Sequence, residues 1–423
     1  MTSTAFEQGE AFAVEMDRRD PLASYRERFC FPKTAGGEHC IYLCGHSLGL
    51  QPKSVHEYIE QELRDWAEFG VEAHFRARHP WMPYHRLLTD QIAELVGAKP
   101  VEVVVMNSLT VNLHLMMVSF YRPTRERFKI LVERGAFPSD QYAVASQIRF
   151  HGLDPASALV ELTARSGESC LRDEDIESRI EQEGHSIALI LLGGLNYATG
   201  QAFDMARITR AGHARGCIVG FDLAHAAGNL PLKLHEWGPD FAVWCSYKYL
   251  NGGPGCIAGC FVHKRHAQAS TLPRFAGWWG HDESTRFEMG PNFRPMAGAE
   301  GWQVSNPAIL SLAALRASLD IFHEVGMERL RAKSVSLTGY LEFLLDQPSS
   351  NFSIITPRES GRRGAQLSIR LPRSGRALCE QLANAGILGD WREPDILRVA
   401  PAPLYNSFQD AYRFAQRFLA MGS

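Results

Sequence analysis

No stretch of this 423-residue chain stays apolar long enough to cross a bilayer. A helical membrane span is therefore not expected. Charge of one sign is also missing: 44 lysines and arginines face 47 acids, a formal balance of −3, with no polybasic run. Neither nucleic acid nor a charged membrane surface is an expected partner. The first twenty residues, MTSTAFEQGEAFAVEMDRRD, have no apolar signal-peptide core and are too acidic for a transit peptide, so the expected location is the cytoplasm. The nine cysteines are odd in number and scattered, which argues against a disulfide framework. Cys40/Cys44 and Cys256/Cys260 lack the two-residue gap of zinc ligands and read as small buried apolar side chains. The motif G-x-x-x-x-G-K-[ST] is absent, as are H-E-x-x-H and a dinucleotide fingerprint between a strand and a helix. Gly252-Gly253-Pro254-Gly255 reads as a turn, and no metal or serine-hydrolase chemistry is expected.

What is present is an ordinary globular composition, 45% hydrophobic and 22% charged, with no internal repeats and enough length for two domains. Val55, Ile59, Leu63 and Trp66 recur at three- and four-residue spacing, predicting a helix over 54–70; a second is expected over 84–96. An apolar run at 101–106 meets Asn107-Ser108-Leu109-Thr110 and then a helical stretch to Phe120, the pattern of strand, turn and helix start. Further apolar runs at 129–133, 188–192, 217–221, 241–245 and 257–262 have helical stretches between several of them, such as 173–182 and 204–215. This alternation predicts an α/β fold with a mostly parallel sheet covered on both faces. The close spacing after residue 241 predicts that part of the sheet is antiparallel. A helix near 308–325 should lead to a smaller C-terminal domain with strands at 352–356, 365–371 and 396–399, and 357–364 reads as a loop.

Two residues suggest the chemistry. Asp222 ends one apolar run and is followed by His225; twenty-six residues later Lys248 follows another. Pyridoxal phosphate held as a lysine imine needs such a pair: a lysine to hold the aldehyde, and an acid to keep the pyridine nitrogen protonated so that the ring accepts electrons. Each residue alone has a plainer reading, as a turn former, a surface cation or a core histidine. Lys248 beside the run Phe241-Ala242-Val243-Trp244-Cys245 shifts the balance, because a cation there is costly. Ser108-Leu109-Thr110 could receive a phosphate at a helix N-terminus or be an ordinary cap. Phe137-Pro138-Ser139-Asp140 could set an aromatic face on a cofactor ring or simply form a turn.

These residues sit within longer stretches: Tyr42-Leu43-Cys44-Gly45-His46-Ser47-Leu48-Gly49-Leu50, Thr110-Val111-Asn112-Leu113-His114, Phe137-Pro138-Ser139-Asp140, Gly220-Phe221-Asp222-Leu223-Ala224-His225, Trp244-Cys245-Ser246-Tyr247-Lys248-Tyr249-Leu250-Asn251, Gly277-Trp278-Trp279-Gly280-His281, Ser305-Asn306-Pro307 and Leu397-Arg398-Val399-Ala400-Pro401. In these the chain resembles kynureninase from about Ile41 to Phe408. The resemblance implies the fold type I transferase architecture of aspartate aminotransferase: a large domain with a mostly parallel seven-stranded sheet (46–315), a smaller α+β C-terminal domain (316–423), and an N-terminal segment (1–45) packing on the latter. It implies pyridoxal 5'-phosphate as cofactor, with Lys248 as its covalent anchor, Asp222 on the ring nitrogen with His225 near it, and Phe137 stacked on the ring within the contacting run Pro138-Ser139-Asp140. Leu109, Thr110 and Tyr247 would contact the phosphate. Trp278 and Asn306 would come from the partner of a homodimer with shared active sites. Arg398 would grip the substrate α-carboxylate, a task suited to a planar guanidinium. His74 and Asn306 would lie near the substrate's aromatic ring and influence the choice between kynurenine and its 3-hydroxy form, and Ser305 would also contact the substrate.

The implied activity is hydrolysis of a carbon–carbon bond in a ketone: L-kynurenine or its 3-hydroxy form gives anthranilate or 3-hydroxyanthranilate plus L-alanine, in tryptophan catabolism and NAD biosynthesis. Lys248, Asp222 and Tyr247 would be catalytic, with Tyr247 as proton donor or relay. The chain departs from the family at His46, where asparagine is more frequent, and at Gly193, near which the family can carry serine. The nearest rival is another class-V enzyme of this fold, an aminotransferase or a cysteine desulfurase. A desulfurase needs a loop cysteine, and Cys379, the only cysteine after 260, falls in an apparent helix, ALCEQLANAG.

Overall fold

A computed structural model of the chain describes residues 6–268, 272–346, 351–371 and 375–422. Its centre is a seven-stranded sheet of β1 (Val103–Val105), β2 (Lys129–Glu133), β3 (Leu159–Leu162), β4 (Ile187–Gly193), β5 (Ile218–Asp222), β6 (Phe241–Trp244) and β7 (Gly259–Val262). The spatial order is β1-β7-β6-β5-β4-β2-β3. All neighbours are parallel except β7, which runs antiparallel to both β1 and β6. The expected α/β architecture and its antiparallel portion are both present. The strands are apolar along nearly their whole length because helices cover both faces. Leu189, Val219, Phe221, Phe241 and Trp244 are fully buried, each worth roughly 1.5–3 kcal/mol when taken out of water. Strand β3 was not anticipated: four residues with burial alternating from Val160 to Leu162 give a weak signal at a sheet edge. The helix expected over 84–96 begins as a 3-10 turn (Tyr84–Leu88) and becomes α-helical only at Thr89–Val96.

A second sheet, β8 (Ser353–Ile354), β9 (Leu367–Arg370), β10 (Asp390–Arg392) and β11 (Ile396–Val399), is antiparallel throughout, in the order β10-β11-β9-β8. Asp390 sits directly opposite Arg398 across β10 and β11. The helices Met327–Leu345 and Phe408–Gly422 pack together over this region. Near the start of the chain, Ile41–Tyr42 pairs in parallel with Ile387–Leu388. Leu43 N–H then donates to Leu388 at 2.9 Å, and Ala400 N–H to Leu43 at 2.9 Å. The loop Gly45–Leu50 is thereby tied to the edge of the C-terminal region. All nine cysteines are free. Among the described residues no helix is long and apolar enough to cross a membrane.

Candidate active site

Parallel strands deliver their carboxyl ends to one side of a sheet, and the helices that follow begin there. At that edge a cleft is lined by Leu109, Thr110, Phe137, Ser139, Asp140, Asp222, His225, Tyr247 and Lys248, together with Glu133, Gly193, Asn196 and Tyr197. Most of the anticipated cofactor residues, from four separate stretches of sequence, thus share one cavity. Asn107, with φ 50°, turns the chain from β1 into the helix Leu109–Phe120; Ser108 places no side chain over its end. The first N–H groups of that helix are therefore left for an anion. Phe137 precedes the helix Pro138–Phe150, where proline suits the first turn and Asp140 lies within it. The Lys248 Nζ lies 5.6 Å from the centroid of the Phe137 ring. Gly49 presses on the turn that carries the lysine: its N–H donates to the Tyr247 carbonyl at 2.8 Å, and a Cβ there would collide with the Lys248 carbonyl and Asn251.

The electrostatics are those of a site waiting for a cation. Burial raises the Asp222 carboxyl above the usual range, opposed by the Ala224 N–H that donates to Oδ1 at 2.7 Å and by Lys248. Burial and the adjacent Asp222 push Asp140 well up. Two buried carboxylates side by side cannot both ionise cheaply, so they hold a proton between them. A protonated pyridine ring would supply the positive charge they lack. Asp140 Oδ1 and His225 Nδ1 are buried and find no partner among the described residues. Burial, then Lys248 and Arg398, drive His225 well below the ordinary histidine range, so its ring is neutral. Burial also raises the Tyr247 phenol, which stays protonated. Free helix N–H groups, an aromatic face, a lysine and a carboxylate pair fit pyridoxal phosphate group by group.

Other anticipated residues lie elsewhere. Pro138 starts its helix without lining the cleft. Arg398 is 1% exposed and behind the cleft wall, its guanidinium carbon 5.9 Å from the Tyr197 ring centroid and its Nη1 donating to the Tyr197 carbonyl at 2.8 Å. His74 lies in the short helix Ala73–Arg76, edge-on to Trp81, and also outside the cleft wall. Trp278, 42% exposed, and the exposed Ser305 and Asn306 do not line this chain's own cleft. Gly193 does, so no side-chain hydroxyl stands at that point. The letters Gly45-His46-Ser47-Leu48-Gly49 spell G-x-S-x-G, which the sequence reading passed over. No helix starts at Ser47, and its hydroxyl is taken up by Asp390 and Arg398 rather than by a base, so the serine-hydrolase reading still finds no support.

Sequence reasoning missed Glu133, Asn196 and Tyr197. The Asn196 amide donates to Glu133 Oε1 at 2.6 Å, while its oxygen accepts from the N–H groups of Ala198 and Thr199. Tyr197 stands edge-on to Phe137, ring centroids 5.3 Å apart. Burial lifts Glu133 from its ordinary 4.5 to about 7, against the lowering effect of Asn196. The folded state therefore holds this proton more tightly than the unfolded chain. The stability it contributes is complete below the unfolded value and lost as pH rises through about 7. Without cofactor, Glu133→Gln is expected to be more stable than the parent by about 2–3 kcal/mol at about pH 8 and equal to it near pH 4. Urea melts at both pH values check this; an unchanged difference between them would refute it.

A family model for the kynureninase C-terminal domain matches residues 330–418. A kynureninase of Koribacter versatilis (strain Ellin345) is 69% identical over 421 residues, covering 99% of each chain. The chain belongs to the kynureninase family. A kynureninase of Myxococcus xanthus (strain DK1622) is 62% identical over 416 residues, covering 98% of each chain. Among solved structures, the cystine C–S lyase C-DES in complex with cysteine persulfide has a TM-score of 0.77 at 18% identity, covering 92% of this chain and 100% of that one. An apo cysteine desulfurase from Thermococcus onnurineus NA1 has a TM-score of 0.73 at 18% identity, covering 98% of each. These two likenesses establish the fold and leave the reaction to the family and the cleft.

Proposed function

We propose that the protein hydrolyses the Cβ–Cγ bond of L-kynurenine or L-3-hydroxykynurenine, releasing L-alanine and the corresponding anthranilate, with pyridoxal phosphate as cofactor. The observation that carries this reading is the meeting of Lys248, Asp222, Asp140 and Phe137 in one cleft of a kynureninase-family chain. Bound pyridoxal phosphate supplies an electron sink for the carbanion formed at the substrate's Cα. The protein's own groups do the rest. Lys248 holds the cofactor and, once released, is placed to move the Cα proton. Asp222 secures the proton on the ring nitrogen. The helix start at Leu109 and Thr110 takes the phosphate, with Tyr247 beside it. Water adds to the γ-carbonyl, the Cβ–Cγ bond breaks to leave the anthranilate carboxyl, and the Tyr247 phenol, kept protonated by burial, is the proton donor or relay for Cβ, which keeps the electron pair and becomes the methyl group of L-alanine. Incubation with each kynurenine, followed by assay of anthranilates and L-alanine, tests the reading. Transfer of the amino group to a keto acid, with no alanine formed, would overturn it.

The desulfurase alternative loses ground at Cys379. It lies in the helix Gly375–Asn384, and burial pushes its thiol up to about 11. A half-buried thiol held in its protonated form within a helix is a poor nucleophile. A homodimer with Trp278 and Asn306 reaching the neighbouring cleft is supported by the exposure of Trp278, Phe287 and Met289 together. The nine free thiols suit a reducing cytoplasm. Arg398→Ala is expected to raise KM for kynurenine by roughly 100-fold with a smaller change in kcat, since the guanidinium binds a part of the substrate that does not react. Steady-state kinetics read this directly; a kcat loss at unchanged KM would give the arginine another job.

A further inference from the structure

Arg398 is gripped before any substrate arrives. Its Nη2 bonds to Asp390 Oδ2 and, at 3.2 Å, to the Ser47 hydroxyl. Asp390 Oδ2 is shared: Ser47 donates to it, Arg392 Nη2 lies at 3.1 Å, and His46 Nε2 at 3.5 Å. The arrangement follows from register, since Asp390 and Arg398 face each other across β10 and β11 and Arg392 is two residues further along the same face. Two guanidinium groups meet one carboxylate, so the cluster carries one surplus positive charge. His46 adds none: burial, then Arg398 and Arg392, hold its ring in the neutral form. The surplus has unspent donors. Arg398 Nε and Arg392 Nε are buried and find no partner among the described residues, nor do both ring nitrogens of His46.

We propose that Asp390 is a positioning residue for the substrate's α-carboxylate: it fixes Arg398 and Arg392, whose surplus charge one further carboxylate neutralises. This rests on the reading that Arg398 binds an α-amino acid. Two effects oppose each other when the Asp390 charge is removed. The cluster becomes more positive, which favours an anion, and Arg398 loses the one charged group that orients it, keeping only the neutral Tyr197 carbonyl and Ser47 hydroxyl. Orientation dominates, because a guanidinium makes two parallel bonds only in one plane, and removing one partner of a buried pair frees the other to reorganise.

The test uses the cofactor-loaded enzyme and two small ligands. L-Alanine carries the α-carboxylate, and its binding is followed by the change in cofactor absorbance. Anthranilate lacks the α-amino acid part and is followed as an inhibitor. For Asp390→Asn, L-alanine affinity and kynurenine KM are expected to weaken about tenfold or more, with kcat within about threefold and anthranilate inhibition within about twofold. Arg392→Gln, at a side chain 40% exposed and so safe for folding, should weaken L-alanine by roughly threefold. Unchanged or tighter L-alanine binding in the Asn variant would overturn the proposal, as would equal weakening of both ligands. If that variant does not fold, unchanged L-alanine affinity in Arg392→Gln overturns it instead. A parent enzyme that binds L-alanine but leaves kynurenine intact would sink the functional reading while the alanine titrations still decide the role of Asp390.

Discussion

Lys248→Ala is expected to lower turnover by roughly 10⁴-fold or more, because in the proposed function one amine would serve both as the covalent anchor and as the proton carrier at Cα. The variant should also lose the visible band of lysine-bound cofactor. The fold should survive, since Lys248 makes no bond that organises the core: it lies on the turn after β6, against Phe137 and Tyr247 at 5.6 and 5.7 Å. The check is twofold. Steady-state activity is measured with excess pyridoxal phosphate, and the parent is reduced with borohydride and mapped for its pyridoxyl-labelled peptide. Activity retained in the variant, or a label on any lysine but this one, removes the assignment.

The second large effect is expected at Asp222. Asp222→Asn keeps an acceptor for the Ala224 N–H, bonded at 2.7 Å in the parent, and removes only the charge. The ring nitrogen then loses the group that secures its proton. Carbanion stabilisation should fall by about 3–4 kcal/mol, roughly 10³-fold in kcat, the usual size for one preorganised electrostatic contact. Asp140 cannot take over without cost, because burial already pushes it towards the neutral form. Removing the Asp222 charge lowers that barrier, so a pH profile of kcat should show Asp140 titrating at lower pH in the variant than in the parent. A near-normal kcat with cofactor bound contradicts the role.

The pair Asp222 and Lys248 was legible because each terminates an apolar run, and strand ends in open α/β sheets converge. Leu109, Thr110 and the Phe137–Asp140 run were legible for the same reason, although each alone could have been a cap or a turn. Glu133 ends an apolar run just as Asp222 does, yet nothing in the linear sequence pairs it with Asn196, sixty-three residues away. Tyr197 belongs to a turn whose shape depends on the hydrogen bonds of Asn196, so its approach to Phe137 is a tertiary fact. Asp390 was hidden in a three-residue strand, and only the antiparallel register with β11 sets it against Arg398. His74, Trp278, Ser305 and Asn306 do not line this chain's own cleft, and only the resemblance, not their spacing in the sequence, pointed to them.

The strand Ile41–Tyr42 is an extra rung on Ile387–Leu388, and the segment after it reaches the lysine-bearing turn through Gly49. Ser47 therefore travels with the ladder that bears Arg398, while Gly49 stays moored to the other body. A rotation of the C-terminal sheet would leave the Ser47–Arg398 spacing intact and flex the chain at Leu48. The segment is not the only tie, since Arg398 and Gln366 both donate to the Tyr197 carbonyl in the cleft wall, at 2.8 and 2.9 Å; a proteolytic cut between Ser47 and Gly49 would therefore leave the two regions joined.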